Sequence, residues 1–126
     1  MKKKEESTQM QVCQFLKMQY PDLIFTCDLA SGMKLTIGQA VKAKKMRSSR
    51  GLPDLMIFKP NKHYKGLFLE FKSVTPFKKD GTLKKDEHLK EQSEIHRRLE
   101  EEGYLAEFTV EFYHTIELIN CYLKDV

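Results

Sequence analysis

Apolar residues recur at helical spacing near the N-terminus of the chain. Within residues 5–19 charged and amide side chains separate these positions, which lie at Val12, Cys13, Leu16 and, just beyond, Tyr20. This repeat predicts a helix over residues 5–19, and Pro21 follows it, where helices commonly stop. The next apolar run, residues 23–29, is rich in β-forming residues and predicts a strand that ends near Ser31 and Gly32.

Two short apolar runs in the middle of the chain predict a pair of strands, at residues 54–58 and 67–72. The polar linker between them contains Pro60 and Asn61, which are typical turn residues. We therefore expect these two strands to form a hairpin. Residues 38–46, ahead of the hairpin, are compatible with a short helix.

Helical spacing returns in the last third of the chain. Residues 87–102 form a charged segment with apolar residues near one side, which predicts a helix ended by Gly103. A strand is predicted at residues 104–110, parallel to the strand at 67–72 because a helical crossover joins them. A last helix is predicted within residues 115–126. This order favours an α/β domain with a mixed sheet flanked by helices.

Composition limits the chain to one modest soluble domain, residues 1–126. Hydrophobic residues make up 40% and charged residues 32%, as in globular proteins. The 22 basic against 18 acidic residues give a net charge of +4, which permits a polyanionic partner without demanding one. Neither a membrane-spanning run nor a signal-peptide core is present, so we expect a cytoplasmic protein without membrane attachment.

The three cysteines do not form a recognisable framework. Cys13, Cys27 and Cys121 are odd in number and lack the CxxC spacing of zinc sites. Each has apolar neighbours in sequence, so we expect buried free thiols in a reducing compartment.

Charged residues interrupt the two predicted hairpin strands. Asp54 begins the first strand, while Glu70 and Lys72 lie two residues apart on the second and so share one face. Buried charges are costly unless they are paired or bind a metal. Two converging carboxylates would suit Mg²⁺, with Mn²⁺ as a substitute. The lysine could then hold or deprotonate a water molecule, or stabilise a transition state. The alternative is a simple ion pair.

A basic segment leads into the first hairpin strand. It is well placed to contact phosphates, which would position a nucleic acid without reading its sequence. The alternative is a solvated lysine-rich face. The candidate DNA-binding residues are Lys42, Lys44, Lys45, Arg47 and Arg50.

The combined pattern resembles the PD-(D/E)XK nuclease superfamily, and within it the virus-type replication-repair nuclease (VRR-NUC) domain. The resemblance covers nearly the whole chain. It rests on Gln9 in the first helix, GLPD at residues 51–54, EFK at 70–72, Gln92, and EEGYLAEF at 101–108. It implies a restriction-endonuclease-like α/β fold with a mixed central sheet flanked by helices, in the order αββ(β)αβα.

The resemblance also implies roles for individual residues. Asp54 and Glu70 would be metal ligands, together with the backbone carbonyl of Phe71. Lys72 would be the catalytic lysine, and Gln92 would position water or phosphate.

An acidic residue of the first helix would join this site, and Glu5 and Glu6 are both candidates. Glu5 lies one turn before Gln9 and Glu6 three residues before it, so both could share its face, with a slight preference for Glu5. The alternative for either is a solvated acid near a helix N-terminus. We expect His88 and His96 to be structural or idle surface residues rather than ligands.

The implied activity is Mg²⁺-dependent endonucleolytic hydrolysis of DNA in phage or bacterial repair or recombination. Related enzymes cut branched structures such as Holliday junctions, and stand-alone members tend to be homodimers. Two other functions compete: a nucleic-acid-binding module on a nuclease-like fold without activity, and a small metabolic enzyme with an incidental Glu-x-Lys. The second is disfavoured because the chain lacks a phosphate-binding glycine loop and a nucleophile elbow.

Overall fold

Helices and strands alternate along the chain, which the computed structural model describes over residues 2–28 and 34–126. Within these residues there are four helices and four strands. They are α1 (Lys2–Gln19), β1 (Phe25–Cys27), α2 (Ile37–Lys45), β2 (Leu55–Ile57), β3 (Leu67–Lys72), α3 (Glu87–Glu101), β4 (Leu105–Val110) and α4 (Phe112–Lys124).

The strands form one mixed sheet in the order β1-β2-β3-β4. β2 pairs with both β1 and β3 in antiparallel fashion, so the predicted hairpin is present. β3 and β4 are parallel and are joined through α3, as expected for a right-handed crossover unit. The predicted mixed α/β architecture is therefore confirmed.

The main hydrophobic core lies between one face of the sheet and two helices. Alternate residues of β2 and β3 point to this face because side chains alternate along a strand. α1 and α4 cover it, and all members of the cluster are at most 4% exposed. They are Val12, Leu16, Leu55, Ile57, Leu67, Leu69, Phe71, Ile119 and Tyr122.

The opposite face of the sheet lies under α3. Asp86 caps this helix by accepting hydrogen bonds from the backbone N–H groups of His88 and Leu89, at 2.8 and 3.2 Å. The buried face of α3 carries Gln92 and His96 among its apolar residues. The layer under α3 thus contains buried polar groups beside the sheet.

Several boundaries differ from the predicted ones. α1 begins at Lys2 rather than at residue 5, and α4 begins at Phe112 rather than at 115. β1 covers only Phe25–Cys27, while Leu29 and the predicted strand end at Ser31 and Gly32 lie outside the described residues.

The basic segment contains a true helix, α2, which the order αββ(β)αβα does not include. Thr36 and Gln39 form a reciprocal capping box at its start, with hydrogen bonds of 3.1 and 3.0 Å. Such a box satisfies two backbone donors that would otherwise lack partners, so a helix of nine residues can form here.

The expectation of three buried cysteines is wrong. All three thiols are free, but Cys121 is exposed and Cys13 and Cys27 are half-buried. Cys121 lies on α4 between Ile119 and Tyr122, which both turn into the core, so its own side chain faces outward. No helix within the described residues is long and apolar enough to cross a membrane.

Candidate active site

The pairing of β2 with β3 brings the two candidate carboxylates face to face. Leu55 is opposite Leu69, and one further step along both strands puts Asp54 opposite Glu70. Both acids are 5% exposed. The backbone N–H of Phe71 donates a 2.9 Å hydrogen bond to Asp54 Oδ2 and fixes that side chain.

Glu70 is held in an environment that disfavours its negative charge. Burial raises its pKa to about 10, assisted by the hydrogen bond and charge of Asp54 and by the charge of Glu5, while Lys72 acts in the opposite direction. A hydrogen bond between two carboxyl groups requires that one of them carry a proton. Glu70 Oε1 is buried without a hydrogen-bond partner among the described residues. One oxygen of this pair of acids is therefore open to a further partner.

Lys72 lies on the same face of β3 as Glu70 and is half-buried. Its ammonium group is 5.9 Å from the centroid of the Phe108 ring on β4. The charged end of the side chain is thereby held over an aromatic face, on the side of the sheet that carries Glu70. Lys72 is thus the cation nearest in sequence and strand position to the two acids.

α1 delivers one acidic residue to this site. Glu5 Oε1 accepts a 3.1 Å hydrogen bond from the backbone N–H of Ser73, directly after Lys72. No hydrogen bond or ion pair joins Glu6 to the site residues that the structure describes. The structure therefore brings Glu5, and not Glu6, to the end of β3.

Gln92 lies in α3 and faces the segment that precedes Asp54. It is 4% exposed, and its Oε1 has no hydrogen-bond partner within residues 2–28 and 34–126. A Cβ added to Gly51 would lie 3.3 Å from the Cα and backbone N of Gln92. Gly51 also has φ +79°, which favours glycine. The glycine of GLPD therefore permits α3 to approach this closely.

The basic residues of the segment that includes α2 are all exposed, but acids partly neutralise two of them. Arg47 forms a 2.5 Å ion pair with Asp28, and Arg50 Nε lies 3.9 Å from Glu91. The remaining basic residues occupy the last turn of α2 and are Lys42, Lys44 and Lys45.

A solved structure described as a VRR_NUC domain protein shares this arrangement of helices and strands. The alignment covers 97% of this chain and 89% of that one, with a TM-score of 0.66 and 23% identity. The chain has the fold of a VRR_NUC domain protein. No family model and no curated protein matches it. The resemblance inferred from the sequence motifs thus agrees with the fold, and the roles of individual residues depend on the geometry of this chain.

In this VRR_NUC fold, two grooves open beside the acids. One, of about 330 Å³, is lined by Lys72 and Glu5 together with Lys84 and Lys85. The other, of about 640 Å³, is lined by residues of α2 and the loop that follows it, and His88 borders both grooves. The two grooves therefore form a path past the candidate site.

Sequence reasoning missed the lysines at positions 84 and 85. The loop of residues 75–86 folds back on itself through a bridge between Phe77 and Leu83 and a 2.7 Å hydrogen bond from Lys78 N to Thr82 O. This fold turns the pair toward the end of β3. The adjacent lysines next to a predicted helix start were the available signal, but the path of the loop was needed to place them.

His96 is not the surface residue that we expected. It is 6% exposed, and its ring lies 4.6 Å from that of Phe108. Burial and the nearby charge of Lys72 lower its pKa to about 4, so the imidazole is neutral. His96 lies on the face of α3 that packs against the sheet, where its ring contacts Phe108 of β4.

The donor set at this end of the sheet fits a hard divalent cation. No group of three or more His, Cys, Asp and Glu side chains in the described chain is arranged to hold a metal by itself. Mg²⁺ needs fewer, because it keeps several waters and takes one or two carboxylates. The carboxylates of Asp54 and Glu70 meet that requirement, and the Oε1 atom of Glu70 has no hydrogen-bond partner among the described residues.

Proposed function

We propose that this protein is a divalent-metal-dependent nuclease that hydrolyses phosphodiester bonds in DNA. The observation that carries the proposal is the pair of buried, facing carboxylates of Asp54 and Glu70 beside Lys72. The raised pKa of Glu70 and its unpartnered oxygen support a site that needs a cation. The described residues include no ion pair between Glu70 and Lys72, which a purely structural role for the two residues would require.

Asp54, Glu70 and the backbone carbonyl of Phe71 would hold Mg²⁺, or Mn²⁺, whose ligand preferences are similar. When bound, the ion would neutralise charge on the scissile phosphate and activate a water molecule for attack. Glu5 would stand further out, since it already accepts a hydrogen bond from Ser73 N. This contact ties the start of α1 to the end of β3.

Two other side chains would act on the reacting groups. Lys72 would donate to the attacking water or to the charged phosphate oxygens, because its ammonium lies on the same face of the sheet as Glu70 and its side chain lines the groove there. Gln92 would orient water or phosphate through its amide, whose buried oxygen lacks a partner among the described residues. Both groups are preorganised by packing, which lowers the cost of reorganisation during the reaction.

DNA would lie along the two grooves that meet at His88. Lys44, Arg47 and Arg50 line one groove and Lys84 and Lys85 the other, so the contacts would go to phosphates rather than to bases. The proposal extends to branched DNA as substrate and to a homodimer with two active sites, as the resemblance implies. It also places the protein in DNA repair or recombination.

Cleavage assays with matched variants test this function. Linear, flapped and four-way-junction DNA would be incubated with Mg²⁺ or Mn²⁺ and wild type, Glu70→Gln or Lys72→Met. We expect each substitution to lower the rate by about a thousandfold, since it removes a ligand or a group that stabilises charge. Glu107→Gln is the control, because Glu107 is a half-buried carboxylate opposite Leu69 on the other face of the sheet.

The outcomes separate the competing functions. Cutting at the wild-type rate by Lys72→Met would show that the assigned chemistry is wrong. Salt-dependent DNA binding without cutting in either metal would instead identify a binding module. If Glu107→Gln lowered the cleavage rate as much as Glu70→Gln, the effect would indicate a general loss of structure rather than the loss of an active-site group.

A further inference from the structure

Two cysteines meet on the side of α1 that faces β1. Gln9 and Cys13 lie one helical turn apart, so they share a face of α1. The Cys27 thiol, at the end of β1, lies 3.8 Å from Gln9 Oε1. The Cys13 and Cys27 side chains line the same groove, and each thiol shifts the pKa of the other. Two sulfur atoms from different elements thus stand next to each other while both are reduced.

This pair is open to small reagents. Both cysteines are half-buried and line a groove of about 300 Å³, together with Gln9, Met10, Gln14 and Asp28. A cysteine kept only for packing is normally sealed within apolar surroundings. Here the groove offers a path to the sulfur atoms.

The surroundings of the pair distinguish its two members. The neighbouring Cys27 thiol and the charge of Lys17, one turn further along α1, lower the pKa of Cys13 to about 7, against the effect of burial. The neighbouring Cys13, burial, Asp54 and Asp28 raise the pKa of Cys27. A partly exposed thiolate near a lysine is the usual form of a reactive cysteine. Cys13 is thus suited to attack, and Cys27 to resolve the product.

We propose that Cys13 and Cys27 form a peroxide-reactive dithiol site that closes to an intramolecular disulfide. The Cys13 thiol first releases its proton. The thiolate then attacks one oxygen of hydrogen peroxide, the O–O bond breaks, and the sulfur becomes a sulfenic acid, while the other oxygen leaves as hydroxide and takes up a proton from solvent to give water. The Cys27 sulfur then attacks Cys13, the S–O bond breaks, and the Cys27 proton leaves with the hydroxyl as a second water. Two thiols are oxidised, and one peroxide is reduced to two waters.

The position of this dithiol links it to the border of the candidate active site. Cys27 is opposite Leu55 in the sheet, and the backbone N–H of Asp28 donates a 2.7 Å hydrogen bond to the carbonyl of Asp54. A disulfide would therefore tie α1 to the strand that supports Asp54. The proposal itself does not depend on nuclease activity, and its test does not measure it.

Mass spectrometry of the oxidised full chain tests the proposal. Cys121→Ser removes the exposed thiol and leaves the pair intact. After limited hydrogen peroxide and alkylation of remaining thiols, we expect a monomer lighter by two hydrogens, with one peptide pair linked through Cys13 and Cys27. Cys13 should also alkylate about threefold faster than an unstructured peptide thiol at pH 7, because more of it is thiolate while each thiolate is less nucleophilic.

Two further variants assign the order of the steps, both in the Cys121→Ser background. With Cys27→Ser, a sulfenic acid should accumulate at Cys13 and be trapped by dimedone. With Cys13→Ser, Cys27 should give no such adduct at the same peroxide dose. Absence of the linked peptides in the Cys121→Ser protein, or their appearance only after denaturation, would overturn the proposal. So would faster trapping at Cys27 than at Cys13.

Discussion

Replacing Glu70 with glutamine is expected to stabilise the metal-free protein at neutral pH. The substitution keeps the size of the side chain and removes the carboxyl group that burial and Asp54 hold in its protonated form. An uncharged amide can also donate a hydrogen bond to Asp54. Removing this carboxyl group, which is proposed to be needed for activity, should thus increase the free energy of unfolding. Such a trade-off between stability and activity is common at functional sites.

The size of this effect follows from proton linkage. The folded-state pKa of Glu70, about 10, lies above the ordinary glutamate value of 4.5. Between these two values the folded protein holds a proton that the unfolded chain has lost, so stability falls as pH rises, by about 1.4 kcal/mol per pH unit. From pH 5 to pH 7 this amounts to about 3 kcal/mol. Glutamine does not titrate, so Glu70→Gln lacks this term.

Denaturant unfolding in EDTA at pH 5, 6 and 7 measures the difference between wild type and variant. We expect the free energy of unfolding of the variant, relative to that of wild type, to rise by about 3 kcal/mol between pH 5 and pH 7. This corresponds to about 10 °C in Tm for a chain of this size. Adding Mg²⁺ at pH 7 should stabilise wild type by about 3 kcal/mol at a hundredfold excess over its Kd, and the variant much less.

A constant difference between the two proteins at pH 5 and pH 7 would refute the reasoning, because Glu70 would then ionise normally in the folded state. Glu107→Gln is the matched control. Burial and Glu100 raise the pKa of Glu107, so its removal should give a pH-dependent gain of the same sign. Because Glu107 lies on the other face of the sheet, that gain should not depend on Mg²⁺.

Two other perturbations test the approach of α3 and the path of the nucleic acid. Gly51→Ala should cost about 1–2 kcal/mol in denaturant unfolding and also lower cleavage, because it adds left-handed backbone strain and a Cβ against α3. The double variant Lys84→Ala, Lys85→Ala should weaken DNA binding and reduce the salt slope of log K by about 1.8, if both contact phosphates. Fluorescence anisotropy across a salt series would measure the slope.

Controls for these two predictions exist within the chain. Gly81 has φ +88° and open space around its Cα, so Gly81→Ala should show the strain cost without the loss of cleavage. Equal loss in both glycine variants would remove the link between Gly51 and the site. For the lysines, Lys59 and Lys62 are exposed at the opposite end of the hairpin, and their removal should leave the salt slope unchanged. If it changes the slope equally, the grooves do not define the DNA path.

The sheet and the position of its acids were accessible from sequence because two local rules determine them. Period-two alternation fixes which residues of β3 share a face, and the short polar linker fixes an antiparallel hairpin. These rules put Asp54 near Glu70 only if the register is right, and the structure supplies that register. The parallel pairing of β3 and β4 was equally accessible, because a predicted helix joins the two strands.

Contacts between elements distant in sequence were not accessible in this way. Lys84 and Lys85 reach the groove only because their loop folds back on itself, and no periodic pattern encodes that path. The approach of Cys13 to Cys27 depends on how α1 is rotated against β1. Apolar neighbours in sequence suggested burial for every cysteine, yet a neighbour along a helix points about 100° away.

The choice between Glu5 and Glu6 shows that this rotation was in part encoded. Side chains seven and eleven residues apart lie within about 20° of each other on a helix of 3.6 residues per turn. Glu5 lies seven residues before Val12 and eleven before Leu16, which are both fully buried, so its side chain points the same way as theirs. The side chain of Glu6 points about 100° away from that direction. Packing of these two residues therefore aims Glu5 at the sheet and lets it reach Ser73 N at the end of β3. The core thus selects which acid stands beside Lys72. The burial of Val12 and Leu16 and the contribution of the Glu5 charge to the raised pKa of Glu70 are consequences of one helix orientation.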